Sequence, residues 1–141
     1  MTTANNQDNI GGFIRLIDEK DEIPYRQLDP TTGKFSETVF FLKTLDDKRK
    51  AEIQKKHTRR VADRNGARDE TDWNAYVRDC LAEGIVRWEA LKNLAGDELA
   101  YTEELKAKVV VKLPESVKVG MMRVIAGREI DEQLLQASAK N

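Results

Sequence analysis

Histidine occurs once in this 141-residue chain, at His57, and cysteine once, at Cys80. A single cysteine rules out a disulfide within the chain and fits a reducing compartment. One histidine and one cysteine 23 positions apart fall short of the roughly four ligands that a zinc site collects. Phosphate-binding glycine loops are missing too. Gly11-Gly12 is only a pair, and no Gly-Lys-Thr or Gly-Lys-Ser follows it. No apolar run approaches the roughly 20 residues that cross a bilayer. The first nine residues, Met1 to Asn9, are polar and lack the basic-then-apolar layout of a secretory signal. These absences predict a cytoplasmic protein with no cofactor, no metal and no membrane partner.

Hydrophobic residues make up 40% of the chain and charged residues 35%. That balance suits a modest core with well-solvated faces, at a length that folds as one domain without staples. The formal net charge of −1 supplies no overall field toward nucleic acid or membrane. The expected organisation is a disordered lead over residues 1–10, a single domain over 11–137 and a polar tail over 138–141.

The first ordered signal is Phe13-Ile14-Arg15-Leu16-Ile17-Asp18, a β-rich run after a glycine pair. Ile23-Pro24-Tyr25-Arg26 reads as a brief extended piece that Pro24 confines to a sheet edge. Asp29-Pro30-Thr31-Thr32-Gly33 is a turn. Glu37-Thr38-Val39-Phe40-Phe41-Leu42 is a strand, apolar at both parities and so covered on both faces. A helix then opens at Thr44-Leu45-Asp46-Asp47 and runs to about Arg64, where Asn65-Gly66 ends it. Its apolar stripe is thin, with only Leu45, Ile53 and Val61. A better core helix starts at Thr71-Asp72, with Trp73, Val77, Cys80, Leu81 and Ile85 along one face. Gly84 leaves its end open, with Ile85 to Trp88 as an extended alternative. Thr102 caps a helix carrying Leu105, Val109 and Leu113. Pro114 opens another through Val117, Met121, Val124 and Ile125, closed by Gly127. Ile130, Leu134 and Leu135 mark a last short helix. The predicted class is α+β and mainly α, with a small N-terminal antiparallel sheet in residues 11–43 and about five helices in 44–137.

The candidates for chemistry reduce to bland readings. His57 sits among Lys55, Lys56, Arg59 and Arg60, with no carboxylate at helical spacing to orient it as a base. It reads as a solvent-facing residue. Cys80 lies on the apolar face of its helix and reads as a buried structural thiol. Met121 and Met122 fall beside Val117 and Ile125 and read as core. Carboxylates such as Asp29, Asp46, Asp72 and Glu103 sit at turns and helix starts. An enzyme is not expected.

Charge asymmetry is the feature left over. From Lys43 to Arg68 there are ten Lys or Arg against four Asp or Glu, while the remainder has 14 basic and 21 acidic residues. Three readings compete for this segment: a solvated face, a surface for an acidic protein, and a nucleic-acid patch. The segment lacks the aromatic residues on which bases stack. Arg49, Lys56, Arg59 and Arg60 are the candidate partner-binding residues. A nucleic-acid-binding or regulatory protein using residues 43–68 is the alternative to a protein binder.

The order of segments resembles that of the tail assembly chaperones of long-tailed bacteriophages and prophages. The likeness is carried by Phe13-Ile14-Arg15-Leu16 with Thr38-Val39-Phe40-Phe41-Leu42-Lys43, by Thr44-Leu45-Asp46-Asp47, and by Gly84-Ile85-Val86-Arg87-Trp88 followed by Leu94-Ala95-Gly96-Asp97 and Tyr101-Thr102-Glu103-Glu104. It spans roughly residues 10–127. Glu89-Ala90-Leu91-Lys92 departs from the pattern, standing where a glycine turn is expected after the tryptophan. The resemblance implies a non-enzymatic protein that binds a tape-measure protein, or another tail protein, before the tail tube polymerises around it. A tape measure is mostly helical and exposes apolar stripes, so its binder needs helical grooves and a charged exterior.

Overall fold

The apolar run Val39-Phe40-Phe41-Leu42 forms the central strand of a three-stranded antiparallel sheet in a computed structural model that describes residues 13, 14 and 16–127. In chain order the elements are β1 (Ile23–Tyr25), β2 (Val39–Leu42), α1 (Asp47–Lys56), β3 (Thr58–Asp63), β4 (Gly66–Thr71), α2 (Trp73–Gly84), β5 (Ile85–Glu89), α3 (Glu103–Lys112) and α4 (Glu115–Ile125). The main sheet has the order β1-β2-β5. Pro24 lies on the edge strand β1, where its missing N–H costs no ladder bond. Phe40 pairs with both Tyr25 and Trp88, and a bulge between Phe41 and Leu42 sets Leu42 opposite Ile85.

Alternation along β2 and the extra residue at the bulge in β5 send Phe40, Leu42, Ile85 and Trp88 to one face, and all four are buried. Helices α2, α3 and α4 close that face with Cys80 and Leu81, with Val109 and Val110, and with Met121, Val124 and Ile125. Burying an aliphatic side chain of this size contributes about 1.5–3 kcal/mol, so this layer carries the stability of the fold. On the opposite face the Arg87 guanidinium sits 3.7 Å above the centre of the Phe41 ring. Both faces of β2 are thus covered, as its unbroken apolar pattern predicts.

Two glycines let the layers close. A Cβ on Gly84 would lie 2.5 Å from Ile125 Cδ1, and one on Gly120 would lie 2.0 Å from the Tyr25 hydroxyl. The first allows α2 to pack against α4, and the second lets α4 sit on the edge strand β1. Trp88 ties the next loop to the sheet, donating from Nε1 to Leu99 O at 2.7 Å and stacking edge-on against Tyr101. Thr102 caps α3, its hydroxyl accepting from Leu105 N.

Strands do not stop at Leu42, and here the expected architecture is corrected. The described residues hold four helices and five strands in two sheets, 38% helix against 25% strand. The class is α+β, but not mainly α, and the strands are interleaved with the helices. No strand forms at 13, 14 or 16–18; Phe13, Ile14 and Leu16 are exposed there. The sheet begins instead at Ile23. The long basic helix is also split. α1 is capped by Asp46, whose carboxylate accepts from Arg49 N at 2.7 Å, and it ends at Lys56. The rest is the ribbon β3–β4, paired in register from Thr58↔Thr71 to Asp63↔Gly66. Asn-Gly is a strong hairpin signal, and Gly66 takes φ +106° at the turn. The lead 1–10, the tail 138–141 and the expected helix at Ile130, Leu134 and Leu135 lie outside the described residues.

Candidate protein-docking groove

The basic segment is largely neutralised by carboxylates that folding brings to it. Arg49 donates from Nε to Glu83 at 2.8 Å and pairs with Glu52 at 3.1 Å; these hydrogen bonds, Glu83 first, push its pKa up. Lys56 lies 3.5 Å from Asp79, Arg59 lies 3.9 Å from Glu70, and Arg60 lies 3.2 Å from Asp69. Arg68 reaches both Asp63 and Glu70, and its hydrogen bond holds the Asp63 carboxyl below the usual carboxylate range. The ribbon carries four arginines against three carboxylates, so little net charge remains on it. Neighbouring residues on a strand face opposite ways, which puts Arg59 and Arg60 on different sides of the ribbon. Arg49 and Lys56 line one depression and Lys56 and Arg59 the next, whereas Arg60 faces the other side of the ribbon.

His57 is not solvent-facing. Its ring is only 15% exposed, and Nε2 lies 2.6 Å from Asp79 Oδ2 on α2. The carboxylate that sequence spacing could not supply comes from 22 residues downstream. Burial alone would raise the Asp79 pKa. The His57 hydrogen bond and the charges of Lys56, His57 and Arg78 outweigh it and lower the value. The pair fastens the base of the ribbon to the body, together with the bond from Asp72 N to His57 O at 2.9 Å. Cys80 is fully buried, and burial pushes its thiol pKa up. Among the described residues no cluster of three or more His, Cys, Asp or Glu is placed to hold a metal. No helix among them is long and apolar enough to cross a membrane.

Apolar surface gathers elsewhere, along α2 and α4. Large hydrophobic side chains stand open on and beside them: Trp73 of α2 at 56% exposure, Val111 of α3 at 61% and Val119 of α4 at 46%. Trp73 packs edge-on against Tyr76, with ring centres 5.4 Å apart. Two adjoining depressions of about 510 and 320 Å³ follow the seam between the helices and share Val77, Glu115 and Lys118 in their walls. Val111, at the end of α3, lines the first; Val119 and Met122 of α4 and its capping residue Ala126 line the second.

This arrangement follows from two apolar stripes on one helix. Met121, Val124 and Ile125 of α4 enter the core, while Val119, Met122 and Ala126 recur every three to four residues on a neighbouring face. Met121 is fully buried, whereas Met122 is only partly covered. On α2, Cys80 and Leu81 are buried, and Trp73, in the first turn, is left outside. Trp73 and Met122 read from sequence as core. The second stripe on α4 was the signal that sets Met122 apart. A scan against protein-family models finds no match, and neither curated proteins nor solved structures yield a significant one.

Proposed function

We propose that this chain is a non-enzymatic assembly factor that binds another protein, in the manner of the phage tail assembly chaperones its segment order resembles. Its partner on this reading is a tape-measure protein, or another tail protein, held in the host cytoplasm before the tail tube forms. One observation carries the reading: an open seam beside α2 and α4 into which Tyr76, Val77, Val111, Val119 and Met122 project, with the exposed Trp73 packed edge-on against Tyr76. Two helices side by side lie about 8–10 Å apart and leave a groove that an amphipathic helix of a partner fills with its apolar face. Exposed tryptophan at the edge of such a groove is the residue type that dominates binding energy in interfaces. The neutralised ribbon gives little support to the nucleic-acid alternative, because phosphate binding relies on cations free to displace counterions.

Co-expression with the tape-measure protein from the same tail-gene cluster tests the reading. A soluble complex is expected with the native chain and loss of that complex with Trp73→Ala. Two proteins that purify independently of each other would remove the proposal. Retarded DNA at low salt, with no protein complex, would favour the alternative.

A further inference from the structure

We infer that the groove selects a partner helix whose polar flanks are acidic; this rests on the protein-binding reading above. The stripe Val119, Met122 and Ala126 covers about 10 Å of α4 at 1.5 Å per residue. That length matches two turns of an incoming helix.

The ridge has hollows on both sides. The second hollow, of about 240 Å³, lies between β1 and α4 and shares Val119 and Arg123 with the groove. Its charged lining is Arg26 and Arg123, with no carboxylate. Arg26 is held in place by donating to Ser36 O at 2.9 Å and Glu37 O at 3.2 Å. On the groove side the cations Arg78, Lys118 and Arg123 outnumber the acids Asp72 and Glu115.

Arg49, Arg60 and Arg68 are paired with carboxylates, whereas among the described residues cations such as Lys34, Lys48 and Lys112 stand alone on other surfaces. Lys118 and Arg123 form no ion pair among the described residues. The chain as a whole carries a net charge of −1, so the positive border of the α4 ridge is a local property. A helix seated on the apolar stripe excludes water from the border, which strengthens attraction to its own flanking carboxylates and penalises flanking lysines.

The test uses the full chain and two designed amphipathic peptides with the same leucine stripe, one flanked by Glu and one by Lys. Binding is followed by calorimetry and by the fluorescence of Trp73. The Glu peptide is expected to bind on the order of tenfold tighter at low salt, with the gap closing as salt rises. The double variant Lys118→Glu with Arg123→Glu, its fold checked by the buried Trp88 signal, should reverse the order. Equal binding of both peptides overturns the acidic preference and leaves the protein-binding reading standing. Binding of neither peptide, with a tape-measure complex that survives Trp73→Ala, overturns the groove as the site. Cross-links from Met122 to residues 128–141 or to a second copy, with neither peptide bound, assign the groove a different occupant and also overturn the inference.

Discussion

His57 Nε2 lies 2.6 Å from Asp79 Oδ2, joining the C-terminus of α1 to the middle of α2. Asp79 has a lowered pKa in the folded state. Such a carboxylate stabilises the fold fully above its unfolded value, near 3.9, and the stabilisation is lost as pH falls through the lower folded value. Melting temperature should therefore drop below about pH 4, and the drop should be shallower in Asp79→Asn. At pH 7 Asp79→Asn should cost about 1–2 kcal/mol, which is about 3–8 °C for a chain of this size. Thermal melts across pH measure both effects; a variant with wild-type stability at pH 7 would show that the pair contributes nothing.

Gly120 and Tyr25 form the closest helix-to-sheet approach among the glycine sites. Gly120→Ala would place a Cβ 2.0 Å from the Tyr25 hydroxyl, so α4 or β1 must shift. A loss of about 1–3 kcal/mol is expected. Tyr25→Phe removes that hydroxyl but leaves Cζ at 2.8 Å. In a double-mutant cycle the pair should therefore couple by at least about 0.5 kcal/mol, with partial rescue. Additive losses in urea melts would contradict this packing.

Gly66 turns the ribbon at φ +106° with no atom within 4 Å of an added Cβ. Replacing it with valine strains only the backbone. Because β3 and β4 pair with each other and pack little on the body, the damage should stay local. Amides of 58–71 should exchange faster with deuterium while the global melting temperature holds. A cooperative loss of the whole fold would mean that the ribbon belongs to the core.

The two tryptophans should separate stability from binding. Trp88 is 4% exposed and Trp73 is 56% exposed. Trp88→Phe leaves Leu99 O without its donor and should destabilise by about 1–3 kcal/mol. Trp73→Ala should change stability by no more than about 0.5 kcal/mol yet weaken partner binding by more than about tenfold. Paired melts and titrations of the two variants decide it, and an unfolded Trp73→Ala protein would return that residue to the core.

What the sequence determined by itself is what depends on neighbours in the chain. Pro24 marked an edge, Val39–Leu42 a doubly covered strand, Thr102 a cap, and Gly127 the end of α4, where it takes φ +70°. Each needs only local sterics or alternation. Residues 58–64 were read as helix because they are charged and free of glycine and proline, and helix and strand preferences differ little there. Pairing with 66–71 decided for the strand, and that pairing is a tertiary fact. His57 was read as exposed because Asp79 is 22 residues away. The groove was hidden for the same reason: the pattern lists apolar stripes, but only packing against the sheet decides which stripe is buried. Met121 went into the core and Met122 to the half-covered flank because Gly120 lets that face of α4 close on Tyr25.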